Sequence, residues 1–201
     1  MSAARGMSPP QQPVRIEAGQ YLIRALTEAD ASDRWAAWPA DPEAAYLLNA
    51  PARKLSQSDI VTYIRSFDQK SRLLLGIFDQ ETGTHVGFLT FSIDFAASRA
   101  LVNLLIGEPA YRNFGVLTAI RRPMTTYIYE TLGLKALLAS VLAHNQVILD
   151  WLLKEGWILE RTLPGKIRSQ SGDKMLDVCL LRYPREAWVA RERELAEKGK
   201  R

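Results

Sequence analysis

The sequence predicts an α+β fold: a mixed, mostly antiparallel sheet flanked by helices, in a single domain. Three observations predict it. Residues 73–106 hold three apolar runs of strand length separated by short turns, which reads as an antiparallel meander. After residue 107 the pattern changes to loop, helix, strand, helix and two strands, an order that brings a parallel pair into the sheet. The 201 residues contain no internal repeat or low-complexity stretch, and this length suits one core of ordinary size.

The elements follow in order. Residues 1–15, rich in Ser, Ala, Pro and Gln, read as a disordered leader. Residues 21–26 are a first strand. Thr27 then offers an N-cap, with Asp30 three residues on as the capping-box acid. A helical stretch runs through Arg34, Trp35 and Trp38 until Pro39 and Pro42 interrupt it. Ser56 to Asp59 opens another helix, with Ile60, Tyr63, Ile64 and Phe67 at helical spacing. Residues 73–79 and 85–93 are strands joined by a turn at 80–83, and Gly87 marks a bulge or a close approach. Residues 96–99 turn into a third strand, 100–106. Residues 107–115 form a loop and 116–132 a helix. Pro123 should kink that helix, because it lacks an amide, and Gly133 should end it. A strand at 135–142, a helix at 145–155, strands at 157–163 and 174–182, and a polar turn at 169–173 complete a domain spanning 16–188. Residues 189–201 are a charged tail, read as a helix or a frayed end.

Composition narrows the function. A hydrophobic share of 47% and a charged share of 24% are those of a soluble globular protein. No apolar run of 18 residues occurs, and the N-terminus lacks the apolar core of a secretory signal. The one cysteine, Cys179, permits no internal disulfide, which fits a cytoplasmic setting, and its apolar strand makes it a core thiol. Two histidines, His85 and His144, form no metal-ligand cluster with it, so no metal is expected. The net charge of +4 suits an anionic cofactor or simple solubility. No motif promotes a nucleic-acid partner.

The most informative segment runs from Tyr111 to Thr118 (Tyr-Arg-Asn-Phe-Gly-Val-Leu-Thr) and places a glycine at the mouth of a helix. First-turn amides of a helix lack internal partners, and the helix dipole favours negative charge there. Such a junction suits a phosphate or pyrophosphate. It is also a common way to enter a core helix.

Arg112 to Leu117 resembles the acyl-CoA signature Q/R-x-x-G-x-G/A of the GNAT N-acetyltransferase superfamily, with Leu117 in place of the last small residue. Asn145 through Gly156-Trp157 resembles the family's Asn-to-Gly-Phe segment. Residues 157–160 resemble the start of the next strand, and Asp177 matches the acid of the closing one. Residues 22–30 resemble the opening strand and its Asp. The likeness covers roughly residues 21–188, and its nearest branch is the RimJ/RimL-like one, which contains ribosomal-protein N-terminal acetyltransferases. That branch includes relatives acting on amino sugars, amino acids and antibiotics, so it does not fix the acceptor.

The resemblance implies acetyl-CoA as co-substrate and an amine as acceptor. It implies that two parallel strands, 101–106 and 137–142, joined by the helix between them, splay at their C-terminal ends to admit the pantetheine arm. Arg112, Asn113, Phe114, Gly115, Val116, Leu117 and Thr118 would hold the pyrophosphate, chiefly by backbone amides, with Arg112 touching a phosphate or facing solvent. Leu105 and Ile106 would pair with the pantetheine and aim an amide at the thioester oxygen. Asn145 would bond the pantetheine, or cap its own helix, or both.

The acid and base are less marked. The positions where many relatives carry a glutamate or a tyrosine hold Ala100 to Asn103 and Leu149 to Leu152 here. Glu108, beside the cofactor loop, is the remaining base candidate, or a surface acid. Ser140 faces the cleft or turns away from it. Trp35 and Trp38 form an aromatic wall for the acceptor, or a shared core face. Asp41 and Glu43 attract a cationic amine, or are solvated. The rival reading is a catalytically degenerate protein that binds CoA or another ligand on the same fold. The sequence leaves a homodimer open.

Overall fold

The computed structural model describes residues 9–112 and 114–198, with Phe114 described through its backbone. Asn113, read from the sequence as a cofactor residue, lies outside the described residues. So do residues 1–8 of the leader and 199–201 of the tail.

The chain enters with a hairpin, β1 (Arg15–Ala18) and β2 (Tyr21–Ala25). It turns at Gly19, whose φ of +65° favours a residue without Cβ. β1 is an addition to the sequence reading, since four residues carry too little periodicity to mark a strand. Thr27 and Asp30 form the expected capping box, but the turn they cap is a short 3-10 segment, Glu28–Asp30. The helix itself, α1 (Asp33–Ala37), starts later, with Ser32 accepting the Trp35 amide at 3.2 Å. Pro42 opens α2 (Pro42–Leu48) rather than merely breaking a helix. Its fixed φ and missing amide suit the first helical position. α3 (Gln57–Arg65) has the Ser56–Asp59 capping box and buries Ile60 and Ile64, as their spacing implied.

The meander is formed by β3 (Arg72–Asp79), β4 (His85–Asp94) and β5 (Arg99–Ile106), all antiparallel. Gly87 shows both features read from its position. The register shifts between Ile77 and Phe78 opposite it, and a Cβ there would stand 2.2 Å from the Leu105 carbonyl oxygen. α4 (Phe114–Thr126) continues through Pro123 and widens into a π-helical turn at Tyr127–Thr131, before Gly133 turns the chain with φ +70°. β6 (Ala136–Leu142), α5 (Gln146–Lys154), β7 (Ile158–Arg168) and β8 (Met175–Pro184) follow. α6 (Arg185–Lys198) carries most of the expected tail. Its Trp188 is buried in the main core. Arg121 of α4 reaches Glu192 of α6 at 2.6 Å and Glu155 at 3.2 Å. The boundary expected at residue 188 thus falls inside a docked helix.

One eight-stranded sheet results, in the order β1-β2-β3-β4-β5-β6-β8-β7. Among the described residues only β5 and β6 pair in parallel. Strand alternation sends Leu73, Leu75 and Ile77 to one face, where α4 and α6 cover them. Leu74 goes to the other face, against Trp35, Trp38, Ile60 and Ile64 of the α1–α3 side. α5 packs on β6 and β8 through Leu149, Leu152, Ala139 and the buried Cys179. Among the described residues no helix is long and apolar enough to cross a membrane.

Candidate active site

The parallel pair sets the site. β5 and β6 are in register only at Arg99/Ala136, Ala100/Leu137 and Leu101/Leu138, although β5 runs on to Ile106 and β6 to Leu142. Beyond Leu101 and Leu138 the strands part. A cleft of about 550 Å³ opens there, walled by Val102 and Leu104 of β5, Ser140 of β6, and Leu117 of α4. The end of β5 is anchored on the opposite side. The Gly107 amide donates to Val86 on β4 at 3.0 Å. Because successive residues of a strand turn their amides to opposite edges, the amides of Ile106 and Leu104 face the cleft, whereas that of Leu105, expected beside Ile106, faces β4. Glycine is required at position 107 itself, since a Cβ would lie 1.9 Å from the Trp38 ring.

Below the parting strands, α4 begins at Phe114, so the positive end of its dipole lies at the mouth of the cleft. Gly115 and Thr118 are exposed, whereas Val116 and Leu117 are buried. Leu117 departs from a small residue by filling the cleft wall with an apolar side chain. Across the opening, Asn145 caps α5, its Oδ1 accepting the Ile148 amide at 3.4 Å, and it also lines the cleft. Both readings of Asn145 are therefore compatible with its position.

Other expected residues lie elsewhere. Arg112 gives Nε to the Ile106 carbonyl at 3.2 Å and Nη2 to the Gly107 carbonyl at 3.0 Å. Its Nη1 meets Asp41 at 2.8 Å and Glu43 at 3.3 Å. It braces the end of β5 against the start of α2. The Asp41 carboxyl is held below its usual range, first by the Ala44 amide it caps and also by Arg112. Glu108 accepts the Trp38 indole N–H at 2.9 Å and lies 3.4 Å from Arg34 Nε. Trp35 and Trp38 are buried, 6.0 Å apart by ring centroid, in the core under α1. Neither tryptophan nor Glu108 is among the residues lining the cleft.

Two polar residues do face the opening together. Leu74, Thr90 and Asn103 are directly opposite one another across β3, β4 and β5, so they share the face on which Leu74 packs under α1 and α3. Leu101 on that face pairs with Leu138, and Ser140 follows by alternation. Asn103 and Ser140 thus flank the gap on the same side of the sheet. Asn103 Nδ2 donates to Thr90 Oγ1 at 3.3 Å. No carboxylate and no histidine line the cleft among the described residues, and no cluster of three or more His, Cys, Asp or Glu is placed to hold a metal ion.

One wall was not anticipated. Asn49 ends α2 in the left-handed conformation, φ 49°. Its Nδ2 donates to the Arg168 carbonyl at 2.9 Å, and its Oδ1 accepts the Gln170 amide at 2.9 Å. Its own carbonyl accepts Gln170 Nε2 at 3.0 Å. This clasp joins positions about 120 residues apart and closes the cleft with Leu47, Leu48, Arg168 and Gln170. A left-handed Asn just after an apolar helical run is a C-cap signal, but its reach to residue 170 carries no sequence signature.

With this geometry, the chain matches the acetyltransferase (GNAT) domain family over residues 20–157. No curated protein matches it in sequence. A GCN5-related N-acetyltransferase from Brucella melitensis shares the fold with TM-score 0.76 at 13% identity, over 93% of this chain and 86% of that one. A spermidine N-acetyltransferase from Vibrio cholerae, solved with CoA and spermine, does so with TM-score 0.73 at 13% identity, over 85% and 98%. A ribosomal-protein-S5-alanine acetyltransferase from Vibrio fischeri does so with TM-score 0.71 at 13% identity, over 85% and 96%. At such identities the likeness is one of fold.

Proposed function

Because the chain belongs to the acetyltransferase (GNAT) domain family, and so to the acetyl-CoA-dependent N-acyltransferases, we propose that it acetylates a primary amine of a small molecule or a protein N-terminus by direct attack. The observation that carries this is the parting of β5 from β6 after Leu101 and Leu138, with the start of α4 and Asn145 at the opening. Acetyl-CoA supplies the acyl group: the amine nitrogen bonds to the carbonyl carbon, the carbon–sulfur bond breaks, and the proton lost by the amine balances the one gained by the thiolate.

The residues present fit that co-substrate. The first turn of α4, from Phe114 to Thr118, favours the pyrophosphate by its dipole. The outward amides of Leu104 and Ile106 offer a strand edge to the amide-bearing pantetheine. The Ile106 amide, braced by Arg112 on its carbonyl, is the candidate donor for the developing oxyanion. Asn145 orients the arm. With no carboxylate on the cleft wall among the described residues, Ser140 and Asn103 position the amine and water takes its proton. The sequence resemblance over residues 21–188, together with the ribosomal-protein acetyltransferase among the structural neighbours, supports a RimJ/RimL-like enzyme. The single cysteine supports a cytoplasmic one.

Calorimetric titration with acetyl-CoA tests the cofactor site. Gly115→Glu places bulk and negative charge at the expected pyrophosphate. It should weaken binding at least tenfold while the thermal melt stays close to wild type, since position 115 is exposed. Unchanged affinity in the folded variant would move the cofactor elsewhere.

A further inference from the structure

The charges around the cleft are unbalanced. Among the described residues its walls hold two arginines, Arg121 and Arg168, and no aspartate or glutamate. Arg121 is neutralised by Glu155 and Glu192. Arg168 makes no ion pair among the described residues, and its one side-chain bond runs from Nη1 to the Gly172 carbonyl at 3.2 Å. None of the acids that the sequence singled out, Asp41, Glu43 and Glu108, lines the cleft. Asp41 and Glu43 are on Arg112, and Glu108 is on Trp38 and Arg34.

Arg168 is also held in place. Asn49 fixes its backbone carbonyl, and the same clasp fixes Gln170 beside it. Leu47, Leu48 and Ile167 stand next to it on the cleft wall. Arg168 is an exposed residue on the wall of this largely apolar cleft, and a guanidinium with donors beyond the one on Gly172 matches a carboxylate or phosphate and repels a second positive charge.

We infer that the acceptor is an amine borne on an anionic molecule with an apolar portion, that Arg168 receives its carboxylate or phosphate, and that polyamines are poor acceptors. This rests on the acyl-transfer reading of the cleft. The Asn49 clasp uses the backbone of residue 168, so Arg168→Gln keeps the clasp and removes the charge together with the bond to the Gly172 carbonyl.

The experiment is thiol release from acetyl-CoA by wild type, Arg168→Gln and Arg168→Glu. The acceptors are L-leucine, leucinamide, O-phosphoethanolamine, spermidine and a peptide whose second residue is acidic. An anionic acceptor should exceed leucinamide in kcat/KM by at least tenfold, with leucine and phosphoethanolamine separating a carboxylate from a phosphate. Arg168→Gln should erase that preference through KM with kcat kept, the mark of a binding contact, and Arg168→Glu should raise relative activity on spermidine. A wild-type preference for spermidine or leucinamide, or an anionic preference that survives Arg168→Gln, overturns the inference alone. No thiol release with any amine overturns the acyl-transfer reading with it.

Discussion

The indole Nε1 of Trp38 donates to Oε1 of Glu108 at 2.9 Å, across 70 residues of sequence. The contact ties the covering helices to the loop that follows β5. It also occupies two residues that the sequence offered to the acceptor and to base catalysis.

Replacing Glu108 by Gln keeps an acceptor for the indole and removes the charge. A base deletion ordinarily costs 10²–10⁴ in rate. Glu108→Gln should lower kcat/KM by less than about tenfold, with the pH profile keeping its acidic limb. A collapse of activity together with loss of that limb would make Glu108 the base.

Asn145 caps α5 and faces the cleft, and two substitutions separate these roles. Asn145→Ala should destabilise the fold by about 1 kcal/mol and raise KM for acetyl-CoA. Asp caps as well as Asn, so Asn145→Asp should restore stability in urea unfolding. If its KM returns as well, Asn145 serves the helix alone.

His85 gives a pH prediction. It is stacked on Phe78 at 4.6 Å between ring centroids, with Trp35 and Trp38 edge-on, and neither ring nitrogen has a hydrogen-bond partner. Burial lowers its pKa to about 4. The nearby Asp30 charge opposes this shift, and Arg24 adds to it. The folded state thus holds His85 neutral, while the unfolded chain protonates near 6.5. Its contribution is complete above pH 6.5 and is lost as pH falls toward 4, on the order of 3 kcal/mol in all. His85→Phe should flatten urea-unfolding stability between pH 6.5 and 4. An unchanged slope would assign the acid sensitivity to other groups.

Much of the fold was legible because local chemistry and tertiary structure agree. The Ser56–Asp59 box and the Gly87 irregularity follow from residue type and order, and the parallel pairing of β5 with β6 follows from the family resemblance. α2 was hidden because Pro42 breaks a helix or starts one, depending on what precedes it, and Asp41 supplies the cap. The side proposed for the cofactor was legible as a glycine at a helix mouth. The acceptor side was not, because it depends on partners distant in sequence: Arg112 with Asp41, Trp38 with Glu108, and Asn49 with Gln170. Spacing along the chain cannot show which acids already have a cation.

The most direct test of acyl transfer in the β5–β6 cleft is thiol release from acetyl-CoA against a broad amine panel, with the acetylated product identified by mass. The account predicts amine-dependent release, one thiol for each N-acetylated acceptor, reduced in Gly115→Glu. Acetyl-CoA that binds while no amine in the panel yields product above background would contradict it, and would leave a binding protein on the same fold.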